Sequence, residues 1–222
     1  MIREKRKSIN LKFSKDCEFV LKVPLKLSKN EISNFMDRHK IWMESTVNYH
    51  LEIQKYLRNV GLKNTNRIII LGREREVVNS PDENTLLDGE FLYIGNPRSK
   101  DNSPVDYIFN LIEQVVRKRV IEMSSDFGFK YKEIRLGNST TVFGTCNERN
   151  VLRFTRMLFS VPPDVIDYVV AHELCHTRFR NHSSGFWNSV ENIVPDWKGK
   201  RRWLRENYRL TVNLFNIVKN ES

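Results

Sequence analysis

The residues that most restrict this chain lie between Val161 and Trp187. Pro162-Pro163-Asp164 supplies a proline for a first helical turn and an acid at the positive end of the helix dipole, and Val165, Ile166, Val169 and Val170 make the following turns strongly apolar. The same helix then carries His172-Glu173-Leu174-Cys175-His176. A spacing of four puts both imidazoles on one face, one turn apart, so that both can bind a single metal while Glu173 sits beside the open coordination position. His182 is the expected third ligand, because Thr177 to Asn181 give enough chain to end the helix and fold back over the metal. Asn181 can take the left-handed conformation that such a reversal needs.

Histidine is scarce, with 5 in the chain, and His172, His176 and His182 form one ordered pattern. A structural zinc site is usually closed by four protein ligands and rich in Cys, whereas three nitrogens beside a carboxylate leave one place for water. Cys175 lies about 100° round the helix from His176 and reads as a small buried residue. Cys17, Cys146 and Cys175 form no C-x-x-C pair, which excludes both a disulfide framework and a thiolate zinc knuckle and fits a reducing compartment. The metzincin pattern fails as well: Phe179 occupies its glycine position, and every methionine precedes residue 158, leaving none for a downstream Met-turn.

The rest of the chain reads as α+β. Ile9, Leu11 and Phe13, then Phe19, Leu21 and Val23, alternate with polar residues around the turn-like Ser14-Lys15-Asp16, which predicts a hairpin ending at Pro24. Ser28 followed by Glu31 is a capping box, and Ile32, Phe35, Met36, His39, Trp42 and Met43 recur at helical spacing to about Leu57. Residues 67–72, 74–79 and 90–95 read as short strands, with Asp88-Gly89 as a hairpin turn. Gly95 to Pro104 is the expected domain boundary, dividing a β-rich region with one helix (1–98) from a second domain (104–222). Val105, Ile108, Phe109, Ile112, Val115, Val116, Val120 and Met123 predict one long helix that stops near Gly128. Tyr131 to Leu136, Thr140 to Gly144 and Val151 to Thr155 predict a small antiparallel sheet. Beyond His182, Phe186, Trp187, Val190, Ile193 and Val194 form an apolar stripe that reads as core packing, a reading extended to Trp42, Trp197 and Trp203.

The stretch VPPDVIDYVVAHELCHTRFRNHSSGFW resembles the core of the YgjP-like metallopeptidase family, with its H-E-L-x-H helix followed by N-H-S-x-x-F-W. The resemblance extends upstream to Thr141-Val142-Phe143-Gly144-Thr145-Cys146, similar to a W-G-S-C segment, and to KVPLKLSKNEISNFMDRHKIWM near the amino terminus. It implies a zincin-like domain preceded by a β-rich region, a zinc ion on His172, His176 and His182, and Glu173 as catalytic acid/base. More distantly the chain is similar to SprT and Wss-type proteases, which act on proteins bound to DNA. Phe143 stands where the family has Trp, and Phe154-Thr155-Arg156 where an L-N-W-R-like strand is common.

Lys and Arg number 37 against 27 Asp and Glu, a net charge of +10. The basic ends could favour a polyanion such as nucleic acid, although a solvated surface is the simpler reading of so wide a spread. The densest basic run, Lys198 to Arg209, is interleaved with Trp203, Leu204, Tyr208 and Leu210 and reads as a surface helix with one docked face. No run approaches the about 18 apolar residues of a membrane span, and no secretory apolar core is present, so the expectation is a soluble cytoplasmic protein. The leading expectation is a zinc metallopeptidase acting on a protein or peptide substrate, with Arg153, Arg156 and Tyr168 as oxyanion candidates by type and Glu191 or Asp196 as carboxylate partners of the imidazoles. Two alternatives are a metal-dependent hydrolase of a phosphorylated small molecule such as a nucleotide, and a nucleic-acid-binding module with a non-catalytic metal site.

Overall fold

The computed structural model describes residues 1–14, 18–58, 61, 66–82, 84–95 and 103–221. Packing divides them into two compact units, Met1–Tyr56 and Leu57–Ser222. The first holds strands β1 (Ile2–Glu4), β2 (Asn10–Phe13) and β3 (Phe19–Pro24), with nearly all of helix α1 (Lys29–Leu57). The expected hairpin forms as the antiparallel pair β2–β3, while its turn at Lys15 and Asp16 lies outside the described residues. β1, which has no alternating signature, pairs in parallel with the other edge of β3. At the start of α1 the Ser28 hydroxyl accepts from Glu31 N–H at 3.2 Å and the Glu31 carboxylate accepts from Ser28 N–H at 3.0 Å, a reciprocal capping box. Trp42 departs from the core reading: its ring meets Phe19 edge-on, yet the residue is 43% exposed. Helical period alone does not say which face of α1 is covered.

In the second unit β4 (Arg67–Ile70), β5 (Arg73–Asn79), β6 (Leu86–Asp88) and β7 (Phe91–Ile94) make a mixed sheet in the order β4-β5-β7-β6, with Asp88-Gly89 in the β6–β7 turn. This sheet is tied to the helices that follow it. Leu71 N–H donates to Phe159 C=O at 2.6 Å, and Leu87 N–H donates to the Tyr107 hydroxyl at 3.0 Å. The packing division thus falls at residues 56/57, while the composition change at 96–104 falls mostly on residues outside those described.

Helix α2 (Pro104–Phe127) forms where its period predicts. Ser103 caps it by accepting from Asp106 N–H at 3.1 Å, Pro104 opens it, and Gly128 at φ 68° closes it in the left-handed conformation that costs glycine nothing. Its buried face, Val105, Ile108, Ile112, Val116, Val120 and Met123, packs against α3 (Pro163–Cys175). Arg119 clamps the pair by donating to both Asp167 carboxylate oxygens at 2.6 and 3.0 Å. Helices α4 (Ser184–Ile193) and α5 (Trp197–Asn220) complete the unit, and α5 buries Trp197, Leu204, Leu214, Phe215 and Val218 while its basic side faces solvent.

The small sheet differs from its expected form. β8 (Glu133–Gly137) runs parallel to β10 (Val151–Thr155), and only β9 (Gly144–Cys146) is antiparallel, giving a mixed sheet in the order β8-β10-β9. The third strand begins where the expected one, Thr140 to Gly144, ends. Residues 140–143 are irregular: the Tyr208 hydroxyl donates to Thr140 C=O, and Thr155 N–H donates to Phe143 C=O at 3.2 Å where the β9–β10 pairing ends. Asn150, at φ 57°, turns the chain from β9 into β10.

Candidate metal centre

Helix α3 delivers His172 and Glu173 from its last turn, and His176 follows as the capping residue. The helix ends there because Thr177 and Arg178 N–H groups bond to Leu174 and Cys175 C=O, tightening the last turn and releasing the chain toward His182. Three Nε2 atoms converge: His172 lies 3.2 Å from His176 and 3.1 Å from His182. The His176 Nδ1–H donates to Phe179 C=O at 2.9 Å, so its Nε2 presents a lone pair to the other two rings. A hydrogen bond can pair only two of the three nitrogens, whereas one divalent cation satisfies all of them, and the donor set fits such an ion.

Aromatic rings fix these imidazoles. Phe186, fully buried in the first turn of α4, meets His172 and His182 edge-on with centroids at 4.9 and 4.7 Å and lies 4.6 Å from His176. Trp187 stacks on His182 at 5.4 Å and 21° and is itself stacked on Trp197 at 4.2 Å. The apolar stripe of α4 is therefore core packing behind the histidines, with one difference: Trp187 also lines a cleft of about 500 Å³ with His172, His182 and Arg201. Arg201, from the basic run of α5, reaches this cleft from nineteen positions beyond His182, a placement that linear spacing cannot signal.

Burial sets the electrostatics. Desolvation, then the neighbouring histidines and Arg201, pull the His172 imidazolium down to about 3, so the ring is neutral as a ligand must be. His182 is lowered by the same causes. Glu173 is 6% exposed, and burial raises its carboxyl to about 8. A divalent charge at the adjoining nitrogens is what such a site needs to hold the carboxylate as an anion. β9 closes on this side chain: a Cβ placed on Gly144 would stand 2.7 Å from Glu173 Cγ and 2.9 Å from Oε1, so only glycine permits the approach.

Of the oxyanion candidates, Tyr168 alone borders the triad, its buried ring edge-on to His172 at 5.8 Å and its hydroxyl raised to about 12 by desolvation. Arg153 lines another cavity, of about 370 Å³, with Arg135, Phe143 and Gly144, and Arg156 donates to Asn138 at 3.2 Å. The expected carboxylate partners are elsewhere: Glu191 is exposed on α4, and Asp196 pairs with Lys200 at 3.6 Å. A backbone carbonyl serves His176 because the chain reversal brings Phe179 there directly. Cys175 is buried as expected, with its Sγ 3.3 Å from the Ser189 hydroxyl.

The protein-family profile for the YgjP-like metallopeptidase domain matches residues 7–207. Among solved structures, one similar chain is the metallopeptidase zymogen abylysin of Pyrococcus abyssi, 18% identical, with 41% of this chain and 93% of that one covered and a TM-score of 0.38. No curated protein matches the chain. No described helix is long and apolar enough to cross a membrane. The fold is α+β, and on a match spanning most of its length the chain belongs to the YgjP-like metallopeptidase family.

Proposed function

We propose that the protein is a zinc-dependent peptidase in which His172, His176 and His182 hold the metal and Glu173 is the catalytic acid/base. The observation that carries this reading is the convergence of three Nε2 atoms beside a buried carboxylate. A zinc ion so held supplies a Lewis acid and lowers the pKa of water toward ~7. The remaining work falls to the chain. A Glu173 oxygen takes the proton of the attacking water and delivers it to the leaving amine nitrogen, so the group ends each cycle as it began. Gly144 leaves room for that carboxylate, Phe186 and Trp187 hold the imidazoles, and Tyr168, whose ring borders His172, is the candidate hydroxyl for the negative charge that develops. The exposed Lys198, Arg202 and Arg205 of α5 favour acidic proteins, including those held on nucleic acid, as substrates. Free Cys146 and Cys175 suit a reducing, cytoplasmic setting.

Zinc-loaded protein incubated with casein is expected to generate new peptide termini readable by mass spectrometry. A chelator should stop this, and added zinc should restore it. Cleavage at full rate after complete chelation would exclude the metal-dependent reading.

A further inference from the structure

Three of the four residues lining the cleft beside the histidines are rings that build or support the metal centre; the fourth is the guanidinium of Arg201. Its carbon lies 5.2 Å from the centroid of Trp187, the ring that stacks on His182, so a cation–π contact holds the head group at the mouth of the cleft. Two neighbouring cations on α5 are engaged otherwise, and Lys198 and Arg202, which form no ion pair among the described residues either, do not line the cleft. Lys200 pairs with Asp164 and Asp196, and Arg205 with Glu206 at 3.9 Å, whereas Arg201 forms no ion pair among the described residues. With a divalent ion on the histidines and Glu173 as the one buried acid of the described residues, the site would carry excess positive charge beside the planar fork of N–H donors of Arg201.

We infer that Arg201 binds a carboxylate of the substrate close to the scissile bond, and so makes the peptidase selective for peptides that carry one there. This rests on the peptidase reading above and names the substrate class for that site. A planar guanidinium matches a carboxylate with two parallel hydrogen bonds, and Trp187 reduces the freedom the side chain would otherwise lose on binding. The carboxylate has two sources, an Asp or Glu side chain or the free carboxyl end of the peptide. Arg201 is a specificity residue, distinct from the proton-transfer group.

The test uses alanine-based octapeptides carrying one Glu or one Gln at each position in turn, with free or amidated carboxyl ends. With zinc-loaded protein, kcat/KM for the preferred carboxylate form should exceed that of its neutral counterpart by about 10- to 100-fold, the range expected for hydrogen bonds to a charged group. In Arg201→Ala the ratio should fall to near 1, chiefly through KM, and Arg201→Lys should recover part of it. Preference for Glu over Gln with amidated ends identifies a side-chain carboxylate; preference for free over amidated ends identifies the terminus. Binding of the same peptides to zinc-loaded Glu173→Gln, with and without Arg201→Ala, should show the same ratio in Kd. A ratio near 1 in the unaltered protein, or an equal loss for every peptide in Arg201→Ala, would overturn the assignment. Failure of the peptidase reading looks different: no peptide would be cleaved, while the binding ratio would still report on Arg201.

Discussion

Substitution of Glu173 by Gln is expected to leave the metal in place and lower kcat on casein by about 10²- to 10⁴-fold, the usual contribution of a positioned acid/base group. The exchange keeps the size and planarity of a side chain that is 6% exposed and sits against Gly144, so packing survives and only the capacity to carry a proton is lost. Elemental analysis and a thermal melt on the same preparation separate this effect from misfolding. Turnover equal to that of the unaltered protein, with metal bound, would remove Glu173 from the mechanism.

Phe186→Ala should produce the largest loss of stability. The ring is fully buried and touches all three imidazoles and Trp187, so its removal leaves a cavity at the point where α4 braces the centre. Large-to-small changes of this kind cost about 3–5 kcal/mol. For a chain of this size such a loss corresponds to a fall in Tm of at least about 6 °C, measured by differential scanning calorimetry of the zinc-loaded protein. Phe186→Leu, which keeps most of the volume, should lose much less. A Tm within about a degree of the original for the alanine variant would mean that the ring is not supporting the histidines.

The centre was legible in the sequence wherever its geometry is local. A spacing of four on a helix fixes the relation of His172 to His176, and the proline pair with the apolar turns after it fixes where that helix begins. The long helix before the small sheet was equally legible, because Ser103, Pro104 and Gly128 mark its ends chemically. Features that depend on pairing between distant segments were not. β8 joins β10 in parallel, a sense that alternation within each segment does not encode, and Thr140, four residues before β9 begins, accepts from the Tyr208 hydroxyl of α5 instead of entering the sheet. Arg201 reads in sequence as one more charge on a basic helix, and only the fold brings it to Trp187. The imidazole partner went the other way: Glu191 or Asp196 was the expectation, but the reversal after His176 supplies the Phe179 carbonyl three residues on.

The central claim is that His172, His176 and His182 together hold one metal ion, and metal content tests it most directly. Elemental mass spectrometry on protein supplied with zinc and then freed of excess should find about one zinc per chain, and a His182→Ala variant treated identically should retain little, because two imidazoles from one helix make an incomplete site. Absence of metal from the unaltered protein, or equal zinc in the variant, would contradict the account.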